Sequence, residues 1–566
     1  MKGAYPTSDF VLVMVPRYGV PPSPKPSRSP FTYDFIVSTT GGSGSGSIDD
    51  PWSLAYATNQ AQADGKLPMS GAHLGLRGGD YARLDAGTDF IAHGVPGSGT
   101  PALDGKLIYR NYNGERATIR EINSGIPPTG IDNVQLIGSH VVLWGLELAC
   151  TLNARVGTEP GGPTNISMFL QDVTGCKVIE CFDHDGAGGL FVEDTTHDFE
   201  CYGSIFLNTG WAGGDGGGHH TYIHHRGPVY ANFQCNIYGP DEGVGVQVYA
   251  NAGVHGHTEY VNLLDNIHVN SGTLNNVPNI GGVDGQSLEI GGQAAPPTTE
   301  YTNHINCLRN FFFWPDGYGD SHIRIGQGGI YRLGPAIVVD HNYGYGGGAG
   351  FGVLSINNIV DLASGGLITL TNNTFRVKQN YGNARLIYLS ENGGAGYAIN
   401  SNTFYRKAGA GEPPILGFRD NVGSFRTKAQ FEADCGFGSI GTIADDPTTP
   451  TIAIVIGADK YSYGRANCCY YNFQGLSRIP FNLGLTLIPG DKFKVHDFRD
   501  PLGTPIDVFD SPAGGSVVTT YTGGLVYFPT TQVADPVMSG SNWGVGVETA
   551  PPATAPFFNA FIVEAI

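Results

Sequence analysis

The chain has 566 residues, only 14% of them charged, and a formal net charge of −19. A field of that sign repels nucleic acid and anionic membrane surfaces, and no run approaches the ~20 apolar residues that span a bilayer, so neither a nucleic-acid partner nor a membrane span is expected. The 85 glycines and 36 prolines follow no Gly-X-Y period, which excludes collagen, and the aromatic and β-branched residues between them argue against disorder.

Residues 1–30 are rich in Pro and Ser (PPSPKPSRSP) and read as an arm or linker. Phe10 to Val15 is the apolar run near the N-terminus, too short for a good secretory signal. From Phe31 the segment TYDFIVS reads as a strand, followed by a Gly/Ser loop from Gly41 to Ser47. DDPWSLAYATNQAQADG then reads as a short helix capped by Asp49 or Asp50, with Pro51 at its start. Its Trp52, Leu54, Ala55 and Ala57 suit a lid over one end of a solenoid, whose terminal rung otherwise leaves open strand edges. Further strands follow in HLGLRGGDYA, KLIYRNYNGERATI and VQLIGSHVVLWGLEL.

An Asn-centred segment then repeats at Asn236, Asn266, Asn310, Asn342, Asn373 and Asn402, in steps of 30, 44, 32, 31 and 29 residues. A fixed period in this range marks stacked repeats. Each repeat adds short alternating strands such as GVQV, LEIG, IRIG and LIYL, so the pattern predicts a coil of β-strands with one rung per repeat and stacked Asn side chains in a turn. The longer 44-residue step holds an inserted loop, Gly291 to Thr302. After Tyr405 the repeat fades. Residues 406–450 read as a transition, with a short helix at KAQFEADCG. Residues 451–566 alternate in short strands between Gly, Pro and Asp turns, which predicts a small antiparallel β-sandwich. Nine cysteines occur without a CxxC pair and fall mostly in strand segments, as small buried hydrophobes do.

The capping helix followed by the LRGGDY, IYRNYNGERATI and GSHVVLWGLEL segments, with the later GHHTYIHH and GVQVYAN rungs, resembles bacterial right-handed parallel β-helix proteins of the pectate-lyase-like superfamily over roughly Phe31 to Tyr405. The stretch PGDKFKVHDFRDPLGTPI looks like a module found after such domains. The resemblance implies an all-β fold: a right-handed parallel β-helix with an N-terminal cap and a C-terminal antiparallel β-sandwich. It says little about activity, because that superfamily holds lyases, hydrolases, epimerases, phage tailspikes and adhesins.

Strand alternation places the side chains. Apolar pairs such as Leu190/Val192, Val246/Val248, Leu288/Ile290 and Ile323/Ile325 point inward. The residues between them form an outward column of Phe191, Tyr222, Gln247, Glu289, Arg324, Ser355 and Tyr388. A second column runs Glu193, His224, Tyr249, Gly291, Gly326, Asn357 and Ser390. Rungs stack ~4.8 Å apart, so column neighbours touch. Tyr222, His224, Glu289 and Arg324 are the expected catalytic face, with Asp183, Asp185 and Asp241 in the flanking turns and Gln247, Tyr249, Glu193 and Arg226 as substrate-binding groups.

Aromatic rings stack on sugars, and Gln, Glu and Arg hydrogen-bond hydroxyls, so the expected partner is a polysaccharide or cell-surface glycan. The net charge favours a neutral polymer unless basic groups cluster locally. Glycoside hydrolysis needs two carboxyls about 5–9.5 Å apart; Glu193 and Glu289, three rungs or ~14 Å apart, are not that pair. A lyase needs a base, an acid and a cation against a uronate, for which His224, Tyr222 or Tyr249 and Arg324 or Arg226 are candidates. The Ca²⁺-binding aspartate set of pectate lyases is not recognisable at matching positions, and Ca²⁺ is the sole cofactor the resemblance raises. The expected function is an extracellular or surface glycan-interacting protein, either a polysaccharide lyase or a hydrolase. The alternative is a self-associating adhesive or structural protein, such as a tailspike-like fibre or filament subunit.

Overall fold

The computed structural model describes residues 10–14, 31–68, 70–82, 106–120, 134–149, 166–186, 188–210, 218–251, 256–274, 285–293, 301–315, 321–326, 331–333, 336–347, 352–356, 359–362, 368–377, 386–389, 396–406, 416–418, 425–435, 438–445, 451–456, 460–511, 514–536 and 550–566. Three long sheets, built almost wholly of parallel strands, run side by side. Each turn of the chain visits them in one order, for example Val246–Asn251 in the first, Thr258–Leu264 in the second and Ile267–Val269 in the third. Parallel strand–crossover–strand connections take the right hand, and the result is a right-handed parallel β-helix. Inward side chains of all three sheets merge into one continuous apolar core from Val37 to Ile440. Among the described residues, no helix is long and apolar enough to cross a membrane.

The lid forms over Leu54–Asn59, but neither aspartate caps it: Ser53 does, accepting the Tyr56 N–H at 3.1 Å. Asp50 instead takes the Ser45 N–H at 2.7 Å. Trp52 is fully buried, stacked on Phe35 of the first rung at 4.2 Å.

The Asn ladder sits at the corner between the second and third sheets. The residue before each Asn adopts the left-handed conformation, from Cys235 (φ 60°) to Ser401 (φ 57°). That kink turns each Asn inward. Asn310 accepts the Asn266 backbone N–H at 2.9 Å and its side-chain amide at 3.0 Å. It donates in turn to Asn342 and to the Leu263 carbonyl. In earlier rungs Ser204 and Cys181 hold the equivalent place, and Ser204 passes the chain of bonds on to Cys181. A second, half-buried ladder, Asn232–Asn262–Asn306, decorates the outside of the second sheet.

From Ile205 to Phe313 the third sheet is almost wholly apolar on both sides. Inward it carries a column of Phe206, Tyr238, His268, Phe312, Gly344, Phe375 and Phe404 in register. A Cβ on Gly344 would stand 2.6 Å from the Phe375 ring and 2.7 Å from the His322 ring, so glycine leaves the gap that His322 fills. Outward, Ile205, Ile237, Ile267, Phe311 and Phe313 pack against Ile454, Cys469, Tyr471, Phe558 and Ile562 of the C-terminal module. The six-stranded sheet of that module is therefore buried on both faces, since Cys468, Tyr470, Phe561 and Val563 face its own sandwich core with a four-stranded sheet. The sandwich lies along the side of the coil. Phe10–Met14 pairs in parallel with Thr451–Ile456 and forms its edge, so the arm is partly a strand. The seven cysteines whose side chains are described are free and buried.

Polar contacts lock the docking. Glu200 of the coil binds Lys177 of the coil and Lys460 and Tyr461 of the module, and Ser462 binds Glu180 at 2.6 Å. Burial pushes the Glu200 carboxyl up, but Lys460 and Lys177 outweigh it and hold the group down at about 2. A carboxyl depressed in the folded state stabilises above its ordinary value near 4.5 and loses that contribution as the pH falls towards 2. Acid titration below pH ~4.5 is therefore expected to remove roughly 3 kcal/mol of this stability. Glu200→Gln should flatten that limb of the stability curve in urea unfolding followed across pH; an unchanged limb would refute the assignment.

Candidate functional site

The outward column of the first sheet exists in register: Phe191, Tyr222, Gln247, Glu289, Arg324, Ser355 and Tyr388 are successive partners. It points away from the coil axis yet is sunk from solvent. Glu289 and His224 are fully buried, Arg324 is 3% exposed, and Gln247 and Tyr249 are buried as well. Its aromatic members close over one another: Tyr222 lies 4.3 Å from His224 and 6.4 Å from Tyr249, and Phe191 lies 5.3 Å from His224. Gln247 donates to Glu289 at 3.3 Å, and the Arg324 Nε donates to the Gly326 carbonyl at 3.1 Å. Burial, then the Glu289 charge, pushes the Tyr222 hydroxyl pKa well up, so it stays protonated at neutral pH.

The three aspartates lie away from this column. Phe182–His184 is a strand of the third sheet, and alternation sends Asp183 into the coil, in line with Leu148 and Phe206. Asp183 is fully buried, and desolvation pushes its carboxyl up to about 7. Asp185, in the left-handed conformation, holds the His184 ring at 3.0 Å, and His184 binds Glu147 at 2.9 Å. Asp241 is buried at the third-to-first-sheet corner, accepting the Gly272 N–H, with one oxygen 3.4 Å from the His220 ring. Burial pushes that carboxyl well up and brings His220 down to about 3.

Arg226 belongs to a different, accessible place, and half-buried Glu193 is the chain neighbour of its lining residue Asp194. Where the strands Ile166–Gln171, Gly188–Val192 and Thr221–Ile223 run out, a groove of about 570 Å³ opens at the corner between the first and second sheets. Asp172, Asp194, His197, Arg226, Glu259 and Tyr260 line it. Asp172, His197 and Arg226 are exposed, and Asp194, Glu259 and Tyr260 half-buried. Leu170 pairs with Val192, so Asp172 and Asp194, two residues on in each rung, lie on adjacent rungs ~4.8 Å apart. The Asp172 N–H is taken by Thr195 at 2.8 Å. Glu193 stands between this pair and the buried column. Burial, then the charges of Asp194 and Asp172, raise its pKa. One wall is aromatic, with Tyr260 stacked on His304 at 4.5 Å and edge-on to Tyr230 at 5.4 Å.

The Asp172–Asp194 pair was not among the expected residues. Carrying the inward pairing one rung back, to Met168 and Leu170, finds it. No group of three His, Cys, Asp or Glu side chains among the described residues converges as a metal site requires.

No protein-family model matches the chain, and no curated protein matches it. Solved structures similar to it include PfbA, a surface adhesin of Streptococcus pneumoniae, at 9% identity and TM-score 0.39 over 68% of this chain and 88% of that one. The tailspike protein of E. coli bacteriophage HK620 in complex with pentasaccharide matches at 10% identity and TM-score 0.32 over 90% and 89%. DFA-IIIase from Arthrobacter chlorophenolicus A6 in complex with GF2 matches at 12% identity and TM-score 0.31 over 75% and 95%. At such scores these likenesses carry nothing about what this chain binds or cleaves.

Proposed function

We propose that this is a glycan-interacting β-helix protein of a cell or virion surface, or of the extracellular space, and that it hydrolyses a glycosidic bond in the corner groove. The observation that carries the reading is three acidic side chains, Asp172 and Asp194 lining an open groove with Tyr260 in its wall and half-buried Glu193 beside them, whose carboxyl pKa is raised by burial and then by the other two. A carboxyl pushed up by burial and neighbouring charge is suited to act as the acid of such a site. Glu193, with its raised pKa, is the proton donor to the leaving oxygen. The Asp172–Asp194 pair supplies the carboxylate that receives a proton from water or stabilises the cationic sugar. Arg226, His197 and Glu259 bind hydroxyls, and Tyr260 offers a ring edge or face to a sugar.

A lyase reading places the burden on His224 and Arg324, which are buried, and on Tyr222, which is half-buried. That burial favours, as the second reading, a surface protein that binds glycan without cleaving it. Incubation with a panel of neutral and acidic polysaccharides separates the three. New reducing ends without absorbance of unsaturated sugars mark a hydrolase, absorbance marks a lyase, and binding with no product marks an adhesin. The first outcome is expected, and either of the others refutes the proposed reaction.

A further inference from the structure

A larger cleft, about 980 Å³, lies between the early rungs of the coil and the docked sandwich, and shares no lining residue with the groove. Its lining departs from the charge balance of the molecule. Arg110, Arg116, Arg465, Lys492 and Lys494 all face it, in a chain of 31 basic and 50 acidic residues. Each of the five acidic side chains that line it is already engaged. Glu115 takes Arg77 and the Gly78 N–H. Glu147 takes Arg116, Thr118 and His184. Glu180 takes Trp144 and Ser462. Asp491 takes Tyr463 and the Ile488 N–H, and Glu564 takes Arg465 and Lys494.

Donors are left over. The Arg110 guanidinium is sandwiched 4.0 Å from the Phe31 ring and 4.0 Å from the Trp144 ring, and its buried Nη1 has no hydrogen-bond partner. Lys492 is exposed and has no carboxylate partner among the described residues. Alternation along Lys492–Asp497 turns Phe493 and Val495 into the sandwich core and Lys492, Lys494 and His496 towards the coil. His496 is 2% exposed, and neither ring nitrogen has a partner. A buried polar group without a partner is a site waiting for one. Two free cations and an imidazole, with half-buried Phe31, Tyr33 and Tyr461 in the same wall, match a ligand that offers a carboxylate on a ring.

We propose that the cleft is a second saccharide site that takes a carboxylate-bearing sugar, held by Arg110, Lys492 and His496. It stands independently of the chemistry assigned to the groove, and it supplies the local basic cluster that an acidic glycan needs in a chain of this charge. The probe is trigalacturonate, with maltotriose as the neutral control, titrated calorimetrically into the full chain carrying Glu193→Gln so that the groove does not consume it. Trigalacturonate is expected to bind at least tenfold more tightly than maltotriose, and added salt should weaken it. Lys492→Gln, an exposed change that leaves packing alone, should weaken it about fivefold or more, and so should Arg110→Gln and His496→Phe in variants whose melting temperatures match the parent. The proposal is overturned if trigalacturonate does not bind, if it binds no better than maltotriose, or if Lys492→Gln leaves its affinity unchanged.

Discussion

Replacing Asn310 with alanine is expected to destabilise the coil by ~3–5 kcal/mol, while Asn306→Ala, four residues earlier, should cost ~1 kcal/mol or less. Both side chains belong to an Asn ladder, and the difference is burial. Asn310 is fully buried and serves the Asn266 backbone N–H, the Asn266 amide, the Leu263 carbonyl and Asn342. Alanine removes the acceptor of a backbone N–H that has no access to water, and each orphaned group costs ~1–3 kcal/mol. Asn306 bonds to Asn262 at 2.8 Å on the half-buried outside of the second sheet, where water replaces the lost partner. Chemical denaturation of the two variants side by side decides it. Equal losses would mean that the inner ladder is not what sets the corner.

The second large effect is on turnover. Glu193→Gln is expected to lower glycan hydrolysis ~10²–10⁴-fold, the usual worth of a positioned proton donor, with little change in binding. Asp172→Asn and Asp194→Asn should each lower turnover, and each should also lower the Glu193 pKa, because their charges help to hold it up. Burial, then the acidic charges, raises Glu193 above its ordinary value, so the active, protonated form persists to higher pH and is lost as the pH passes the raised value. The alkaline limb of the rate profile should therefore move to lower pH in Asp194→Asn. Alanine at both His224 and Glu289, in contrast, tests the sunken column; intact turnover in that variant would place the chemistry in the groove alone.

The coil was legible because two periods are written in the chain. Alternation gives the inward residues, and the Asn repeat gives the rung, so the order Tyr222, Gln247, Glu289, Arg324 follows from the sequence. Exposure could not, because it depends on how Phe191, Tyr222, Tyr249 and their neighbours close over one another across rungs. Asp183 was misplaced for a local reason. Its rung carries Cys181 where later rungs carry Asn, so Phe182–His184 read as a turn, whereas it is a strand that sends Asp183 inward. The groove pair was missed because the columns began at Leu190 and followed the outward residues, whereas Asp172 and Asp194 continue the inward pairs Met168/Leu170 and Leu190/Val192 past the strand ends. The lateral docking of the sandwich had a visible signal. Ile237, Tyr238, Ile267, His268, Phe311 and Phe312 leave the third sheet without a solvent face, and a parallel sheet of that kind is covered on both sides.

The most direct test of the central claim is a crystal structure of the Glu193→Gln protein soaked with an oligosaccharide drawn from a polysaccharide that the parent binds. The groove reading predicts a sugar ring against Tyr260, with a glycosidic oxygen within hydrogen-bond reach of residue 193 and the Asp172 and Asp194 carboxylates across the bond. An oligosaccharide seated elsewhere on the coil, with the groove between Asp172 and Asp194 empty, would contradict it.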